Sequence, residues 1–593
     1  MSDKNLSAMK NLSPLRKTSH AQSALELARE QLQHFGIDPN SEYGEALIAT
    51  TNHLYQAQGN LQSLWDVTTA TLPALDQSDR IRYFNAKKFL AFQMAKLLDN
   101  LQNPFRSVYQ QFDFGPATQL SKGSYPIFDN VPALFSATPV VVKTATYIYA
   151  CTEWVDDAFT GREPTHQIYS RLLNPTSIAL ANAIVDLEAG PFTQEYLAWN
   201  YNSGMAAIDG ILSNKLRLGD VLIVSRNVYG GVHQLLVDYF AQRQRLDIQI
   251  EWFDELDAES FEVFLHDVKA RHADRLQQAK LHVYLESPCN PHGYVLDVPN
   301  ICAISHREGH CVILDSTLAT PFLHQPLQRA NPDERPDYVV HSYTKDLSGG
   351  GSTTAGVVIG KIETMFMPKG ETINGVKWSD TMFWDVYYIK GAFLDADKAA
   401  EVMSGMKTLE QRMLHKGIAT RVFTAFLASN PMVRVNSNAV PTHANHQQLL
   451  DSHYLGLPSP LFTVDFENAN VDVAAFKRFF DALEPCFSHQ VSIGQTNTLV
   501  LCPALTSHSE LSGGALADAN IYPTTIRISM GTEDVRELMA HFYLAAKIHI
   551  DPLCEGFSSG FDIDNMDALL LAETKRVYEQ HVGAGKSLKK RLA

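Results

Sequence analysis

The feature that most constrains this chain is a series of short apolar runs, each closing on polar residues and separated from the next by a longer stretch with helical character. The runs are VLIV (221–224), VYLE (283–286), CVILD (311–315), YVVHS (338–342) and GVVIG (356–360). Strands this short and this rich in Val and Ile, alternating with helical segments, build a mostly parallel α/β sheet with helices on its faces. In such a sheet, ligands sit outside the carboxyl ends of the strands. The polar residues that end the runs are therefore where chemistry is expected.

The remaining chain is organised around this block. Leu25, Ala28, Leu32 and Phe35 recur at helical spacing, as do Leu90, Met94 and Leu97, which predicts a helical N-terminal extension over residues 1–125. The α/β pattern places a ligand-binding domain over 126–397. A second, smaller α/β domain follows over 398–550, opening on the helix-like KAAEVMSGMKTLEQRM, and residues 551–593 read as a polar tail with the basic end KSLKKRLA. The formal net charge of −16 argues against a nucleic-acid partner, because phosphate-backbone binding rests on clustered Lys and Arg. The first residues, MSDKNLSAMKNLSPLRK, lack the apolar core of a signal peptide, and the apolar stretch near Pro139 is interrupted by Lys143. A cytoplasmic protein without a membrane span is expected. Seven scattered cysteines with no C-x-x-C spacing fit free thiols in a reducing compartment. His443 and His446 in THANH have no evident third ligand nearby, so they are expected to be surface histidines, and no metal site is expected.

Two strand ends carry the pair that suggests a reaction. Asp315 closes CVILD, and Lys345 follows YVVHSYT by a few positions. An aspartate facing a pyridine nitrogen keeps it protonated and a lysine forms the imine, the combination that makes pyridoxal phosphate an electron sink. Phosphate-binding features lie nearby. Ser203, Gly204 and Met205 precede a helical pattern whose first backbone N–H groups suit a phosphate dianion. The hydroxyls of Ser342 and Thr344 offer further donors, and the Gly-rich run SGGGSTTAG (348–356) is expected to let the backbone pass close to the cofactor. That run lacks the order of a nucleotide-binding loop.

The segments HSYTKDLSGGGSTTAGVVIG (341–360), ESPCNPHGYVLDV (286–298) and VILDSTLATPFLHQPL (312–327) resemble the cofactor segments of the Cys/Met-metabolism (trans-sulfuration) family of pyridoxal-phosphate enzymes. This group includes the cystathionine synthases and lyases, methionine γ-lyase and the homoserine-ester sulfhydrylases. YSRLLNPT (169–176), SGMAAI (203–208), VYGG (228–231) and IRISMGTED (526–534) are similar to further family blocks in the same order, so the resemblance runs from about residue 138 to about residue 550. It implies a type I, aspartate-aminotransferase-like fold with a large mostly parallel sheet domain and a smaller C-terminal α/β domain. It also implies pyridoxal phosphate held as an imine by Lys345, which would shuttle protons between substrate carbons, with Asp315 on the pyridine nitrogen and Tyr229 stacked on the ring as a proton donor or acceptor. Gly204, Met205, Ser342 and Thr344 would bind the phosphate, joined by Tyr169 and Arg171 from a neighbouring subunit. Asn290 would lie beside the ring hydroxyl, and Arg527 with Ser492 would take the substrate carboxylate, for which an arginine fork is geometrically suited. Such shared sites imply a homodimer or homotetramer.

The chain departs from the family pattern at Ser316, where Asn is usual, at Gly349–Gly350, where a Gly-His pair is usual, and at Ser404, where Arg is usual. The stretch after Ser492, IGQTNTLVLCPALTSHS, lacks the usual double glycine and Glu-Ser, and Val491 stands where the cystathionine enzymes carry Glu. The resulting expectation is a carbon–sulfur lyase that acts by β- or γ-elimination on a methionine- or cystathionine-like amino acid. The alternatives are γ-replacement on an activated homoserine and, from another class, a partner-binding scaffold without activity.

Overall fold

A computed structural model describes residues 21–34, 36–74, 76–81, 115–121, 136–147, four positions between 152 and 159, 168–469, 471–506 and 521–585. The described residues up to Leu173, with Pro368–Gly370, form one compact unit, and the remainder forms a second. The first unit contains helices α1 (Ala24–His34) and α2 (Glu42–Thr71), in contact with each other, so the periodicity of Leu25, Ala28 and Leu32 corresponds to a helix. The expected helix around Leu90, Met94 and Leu97 lies outside the described residues.

The second unit holds both sheets. The larger has seven strands: β1 (Tyr196–Tyr201), β2 (Val221–Ser225), β3 (Gln249–Phe253), β4 (Leu281–Glu286), β5 (Cys311–Asp315), β6 (Tyr338–Ser342) and β7 (Gly356–Lys361). Their order is β1-β7-β6-β5-β4-β2-β3, with parallel pairing from β6 through β3 and antiparallel pairing of β7 with both its neighbours. All five apolar runs are strands. β1 and β3 were not anticipated from the sequence. Side-chain alternation sorts the residues: Val283 and Leu285 of β4 with Val312 and Leu314 of β5 join an apolar core that includes residues of helices α5 (Ala258–Arg271) and α6 (Val298–Arg307). Helices α3 (Pro175–Ala189) and α4 (Gly204–Lys215) precede these in the chain, and α4 lies against β6 and β7. Because Glu286 is in register with Asp315, and Asp315 with Val340, the side chains of Glu286, Asp315 and Ser342 emerge on one face at the carboxyl end of the sheet.

Helices α7 (Ala396–Met406) and α8 (Leu409–Ala428) follow, separated at Lys407–Thr408, where the sequence alone reads as one continuous helical pattern. After the short hairpin β8 (Thr372–Ile373) and β9 (Val376–Lys377), the second sheet contains β10 (Arg434–Asn436), β11 (Leu461–Asp465), β12 (Ser488–His489), β13 (Leu499–Leu501) and β14 (Ile526–Ser529), ordered β10-β11-β14-β13-β12. Helices α9 (Val473–Asp481) and α10 (Val535–His549) pack with α8 around a phenylalanine-rich core that includes Phe423, Phe466, Phe479 and Phe542. The two sheets fall on either side of residue 398.

The stretch read as a polar tail contains helix α11 (Met566–Ala584), which lies along α8 and buries Met566 and Val577. Glu573 on α11 pairs with Arg421 of α8 at 3.3 Å, and His581 Nδ1 lies 3.0 Å from the Tyr454 hydroxyl. Its polarity is that of one exposed helical face. The basic end beyond residue 585 lies outside the described residues. Among the described residues no helix is long and apolar enough to cross a membrane.

Candidate active site

The carboxyl end of the large sheet meets the second sheet around a cavity of about 200 Å³. Ten of the anticipated residues line it: Gly204, Met205, Tyr229, Asn290, Asp315, Ser342, Thr344, Lys345, Ser492 and Arg527. Close packing against β11 of the second sheet is visible at Gly293 (φ +74°), where a Cβ would lie 2.2 Å from the Leu461 carbonyl oxygen. Only glycine tolerates both that backbone and that approach.

Lys345 sits on the turn after β6, and its Nζ donates to Ser492 Oγ at 3.2 Å. Burial, with the Arg527 guanidinium adding repulsion, pulls its amine from the ordinary lysine range down to about 8. Arg527, on β14, is itself buried; it donates through Nη1 to Asn290 Oδ1 at 3.1 Å and through Nη2 to the Ser492 carbonyl at 2.9 Å. Burial lowers its pKa to about 10, which leaves it cationic near neutral pH. Among the described residues it has no carboxylate partner. A buried cation without a counter-ion is costly, so this site is built for an incoming anion.

Asp315 presents the complementary case. Its carboxyl is buried, accepts the Thr317 amide at 3.0 Å and lies 3.5 Å from the Tyr284 hydroxyl. Burial raises its pKa above the usual carboxylate range. A cationic ligand atom opposite it would restore the ionised form. At the other end of the cavity, Ser203 caps α4 by accepting the Ala206 amide at 3.1 Å, while the amides of Gly204 and Met205 have no partner among the described residues. The helix start is held close to the strands: a Cβ on Gly204 would lie 2.8 Å from Ser342 Cβ, and one on Gly356 would lie 2.4 Å from the Ser203 carbonyl oxygen. This is an anion cradle at a helix N-terminus.

Three sequence expectations take a different form. The Thr344 hydroxyl donates to the Ala355 carbonyl at 3.3 Å and accepts the Ala355 amide at 3.0 Å, so it ties the lysine turn to β7. In the Gly-rich run, Gly349 and Gly351 adopt φ +69°. A Cβ there would lie 2.5 Å from the Arg412 guanidinium carbon and 2.6 Å from the Gln495 side chain, respectively. These two glycines admit helix α8 and the loop after β12, whereas Thr354 from the same run lines the cavity. His443 and His446 are half-buried. His446 Nδ1 lies 2.7 Å from the Asn438 carbonyl, and the His443 ring packs on Tyr294 at 4.8 Å. Among the described residues no cluster of side chains suited to a metal ion occurs.

Tyr229 is 45% exposed at the cavity mouth, and its ring covers Gly231 beside Met205 Sδ. Its backbone amide donates to Glu286 Oε2 at 2.7 Å. Glu286 was missed by sequence reasoning. It is buried, and burial with the neighbouring Asp315 raises its pKa well above the usual range. The signal was present: VYLE and CVILD are adjacent runs that both end on a carboxylate. Tyr169 and Arg171 belong to the other compact unit, where the Arg171 guanidinium lies 5.6 Å from the Tyr169 ring centre.

The family of Cys/Met metabolism PLP-dependent enzymes matches residues 129–547, more than two thirds of the chain. The chain belongs to that family. It is 30% identical to the L-methionine gamma-lyase of Pseudomonas putida over 73% of this chain and 97% of that protein. It is 27% identical to the O-acetyl-L-homoserine sulfhydrylase of Leptospira meyeri over 70% of this chain and 93% of that protein. A solved Campylobacter jejuni structure, described as an O-acetylhomoserine (thiol)-lyase carrying N'-pyridoxyl-lysine-5'-monophosphate, superposes with a TM-score of 0.60 at 25% identity, over 70% of this chain and 96% of that one. The fold is therefore the type I fold of pyridoxal-phosphate enzymes, and pyridoxal phosphate is the cofactor. The residues fit it: a buried carboxyl lacking a cation, unpartnered helix amides for a phosphate, and a depressed lysine between them.

Proposed function

We propose that this enzyme cleaves carbon–sulfur bonds by β- or γ-elimination from a methionine- or cystathionine-like amino acid. The observation that carries the reading is the buried, carboxylate-free Arg527 facing the same cavity as Lys345 and Asp315. An α-amino acid supplies the missing anion and, at a fixed distance, the amine that must reach Lys345.

Pyridoxal phosphate, when bound, supplies a ring that accepts negative charge developing on the substrate carbons. Gly204, Met205 and Ser342 would hold its phosphate, Asp315 its pyridine nitrogen and Asn290 its ring hydroxyl. Lys345, with its amine lowered to about 8, is suited to take the proton from Cα and, for a γ-substituent, a second from Cβ. Tyr229 would return a proton to the departing sulfur, and Glu286 fixes the backbone from which that phenol hangs. Part of the wall is apolar: Leu318 and Ile493 line it and pack together with Leu461, and Val491, which is largely exposed, also lines it. This favours an uncharged thioether over a second carboxylate on the leaving group.

Elimination yields a 2-keto acid and ammonia, whereas replacement joins a thiol to the carbon skeleton without releasing ammonia. Incubation with methionine, cystathionine and cysteine, and with acylated homoserine plus sulfide or cysteine, while following keto acid and thioether together, separates the two. Keto acid from methionine is expected. Thioether from acylated homoserine with no keto acid from methionine would instead establish a γ-replacement enzyme. No product from any of these substrates would favour the scaffold.

The assembly is proposed to be a homodimer or homotetramer in which Tyr169 and Arg171 complete the phosphate site of a neighbouring subunit. Mixing Arg171→Ala with Lys345→Ala subunits should then regain activity above either parent, because one site in each hybrid is intact. A hybrid no more active than its parents, under conditions where subunits exchange, refutes the shared site. The chain is further proposed to act in the cytoplasm, which fractionation of expressing cells would test.

A further inference from the structure

Immediately behind Lys345 lies a buried ion pair that the reaction as described does not use. Asp346, the next residue, is 1% exposed, and its Oδ1 lies 2.7 Å from Nζ of Lys416, which is 0% exposed. Lys416 projects from the middle of α8. Arg412, one turn earlier, donates to the Asp346 carbonyl oxygen at 2.7 Å and stands 4.0 Å from Asp346 Oδ1. Lys416 has a second acceptor, the Gln495 carbonyl at 2.5 Å, three residues beyond Ser492. The same loop is sewn to the lysine turn at other points. The Thr496 amide donates to the Gly349 carbonyl at 3.1 Å, and Gly494, at φ +72°, brings its Cα so close that a Cβ would lie 2.6 Å from the Asp346 amide nitrogen. One ammonium group thus ties the turn that carries Lys345 to the loop that carries Ser492.

Sequestering two charges from water is costly, and such a pair is retained only where geometry and further hydrogen bonds compensate. Two apolar residues would fill the space at less cost, so stability alone does not account for it. The charged and titratable groups around Lys345 are few: Arg527 from β14, Asp315 from β5, Glu286 from β4, Tyr229 at the cavity mouth, and Asp346 beside it. Around Asp346 itself they are Lys416 and Arg412 from α8; the facing stretch Gly494–Thr496 contributes only backbone and uncharged side chains. Asp346 favours the protonated Lys345, and Lys416, 2.7 Å from the Asp346 carboxylate, carries the opposite charge.

We propose that Asp346 and Lys416 form a positioning clamp that docks the Lys345 turn onto the Ser492 loop and, by cancelling each other's charge, sets the pH at which the Lys345 amine works. The inference rests on the reading of Lys345 as the cofactor lysine.

The test is a pH titration of the visible absorption of the holoenzyme, run beside the pH profile of kcat/KM. Lys416→Met removes the positive charge beside Asp346 and should move the midpoint up by about one unit, the scale of one nearby charge. Asp346→Asn removes the negative charge beside Lys345 and should move it down. The double variant Asp346→Asn/Lys416→Met removes both charges and should return the midpoint to that of the unmodified enzyme, and Lys416→Arg should not move it. Midpoints that stay together in all variants overturn the proposal, as does a double variant displaced as far as the singles. If Lys416→Met alone fails to fold, Asp346→Asn and the double variant still decide it. Failure of the underlying reading looks different, because it appears as a Lys345→Ala protein that keeps its colour whatever the charge variants do.

Discussion

Lys345→Ala is expected to lose the visible absorption of the bound cofactor and to lower turnover by at least about 10⁴-fold, the upper end of what one general base contributes. The loss should reach that end because a single amine is asked both to hold the cofactor and to move the substrate protons. Neither Glu286 nor Asp315, the described carboxylates lining the cavity, can replace it: both are buried and shifted upward, the first bonded to the Tyr229 amide and the second placed for the cofactor nitrogen. Structure should survive the change. Nζ makes one hydrogen bond, to Ser492 Oγ, and the turn is held independently by Thr344 with Ala355 and by Asp346 with Lys416. Circular dichroism and the thermal midpoint should therefore stay close to those of the unmodified protein, while colour and keto-acid formation disappear together. A variant that stays coloured and turns over normally would show that another group is the cofactor lysine.

How much of this was legible in the sequence depends on the kind of signal each residue left. The five runs from VLIV to GVVIG were readable because strands buried on both faces are continuous apolar stretches, whether parallel or, like β7, antiparallel. β1 was not, since YLAWNY interleaves polar and aromatic residues, and its place beside β7 is a long-range pairing. Asp315 and Lys345 could be found because each follows a readable strand. Glu286 had the same signal and was passed over, although the register that sets it beside Asp315 is a property of the assembled sheet. Lys416 left no signal at all. A lysine inside a helical stretch ordinarily reads as solvated, and only the packing of α8 against the lysine turn and the Gln495 carbonyl makes it a buried partner. The glycines of SGGGSTTAG were visible, but their purpose was not: left-handed φ values and the approach of Arg412 are tertiary facts. The C-terminal helix α11 was hidden for a similar reason, since its docking surface is two buried side chains and a few polar contacts such as Glu573–Arg421 and His581–Tyr454 among many exposed polar groups.

The remaining large effect concerns recognition of substrate. Arg527→Ala should raise KM by the equivalent of roughly 2–5 kcal/mol, that is roughly 30- to several-thousand-fold, as when one partner of a buried charge pair is removed. Its guanidinium is already oriented before substrate arrives, by Asn290 Oδ1 and the Ser492 carbonyl, so little ordering is left for binding to supply. It also remains the only described arginine lining the cavity. The α-carboxylate is present throughout the reaction, so the interaction is made equally in ground and transition states, and its loss should appear in KM far more than in kcat. That split separates recognition from collapse of the site. A second comparison removes the remaining ambiguity: the unmodified enzyme should strongly prefer an amino acid to its carboxamide, and Arg527→Ala should scarcely distinguish them. The same deletion removes a neighbouring positive charge from Lys345, so the Lys345 amine should titrate above its present value of about 8. An unchanged KM together with an intact preference for the free carboxylate would place the carboxylate elsewhere in the cavity and leave Arg527 a purely structural bridge between Asn290 and the Ser492 loop.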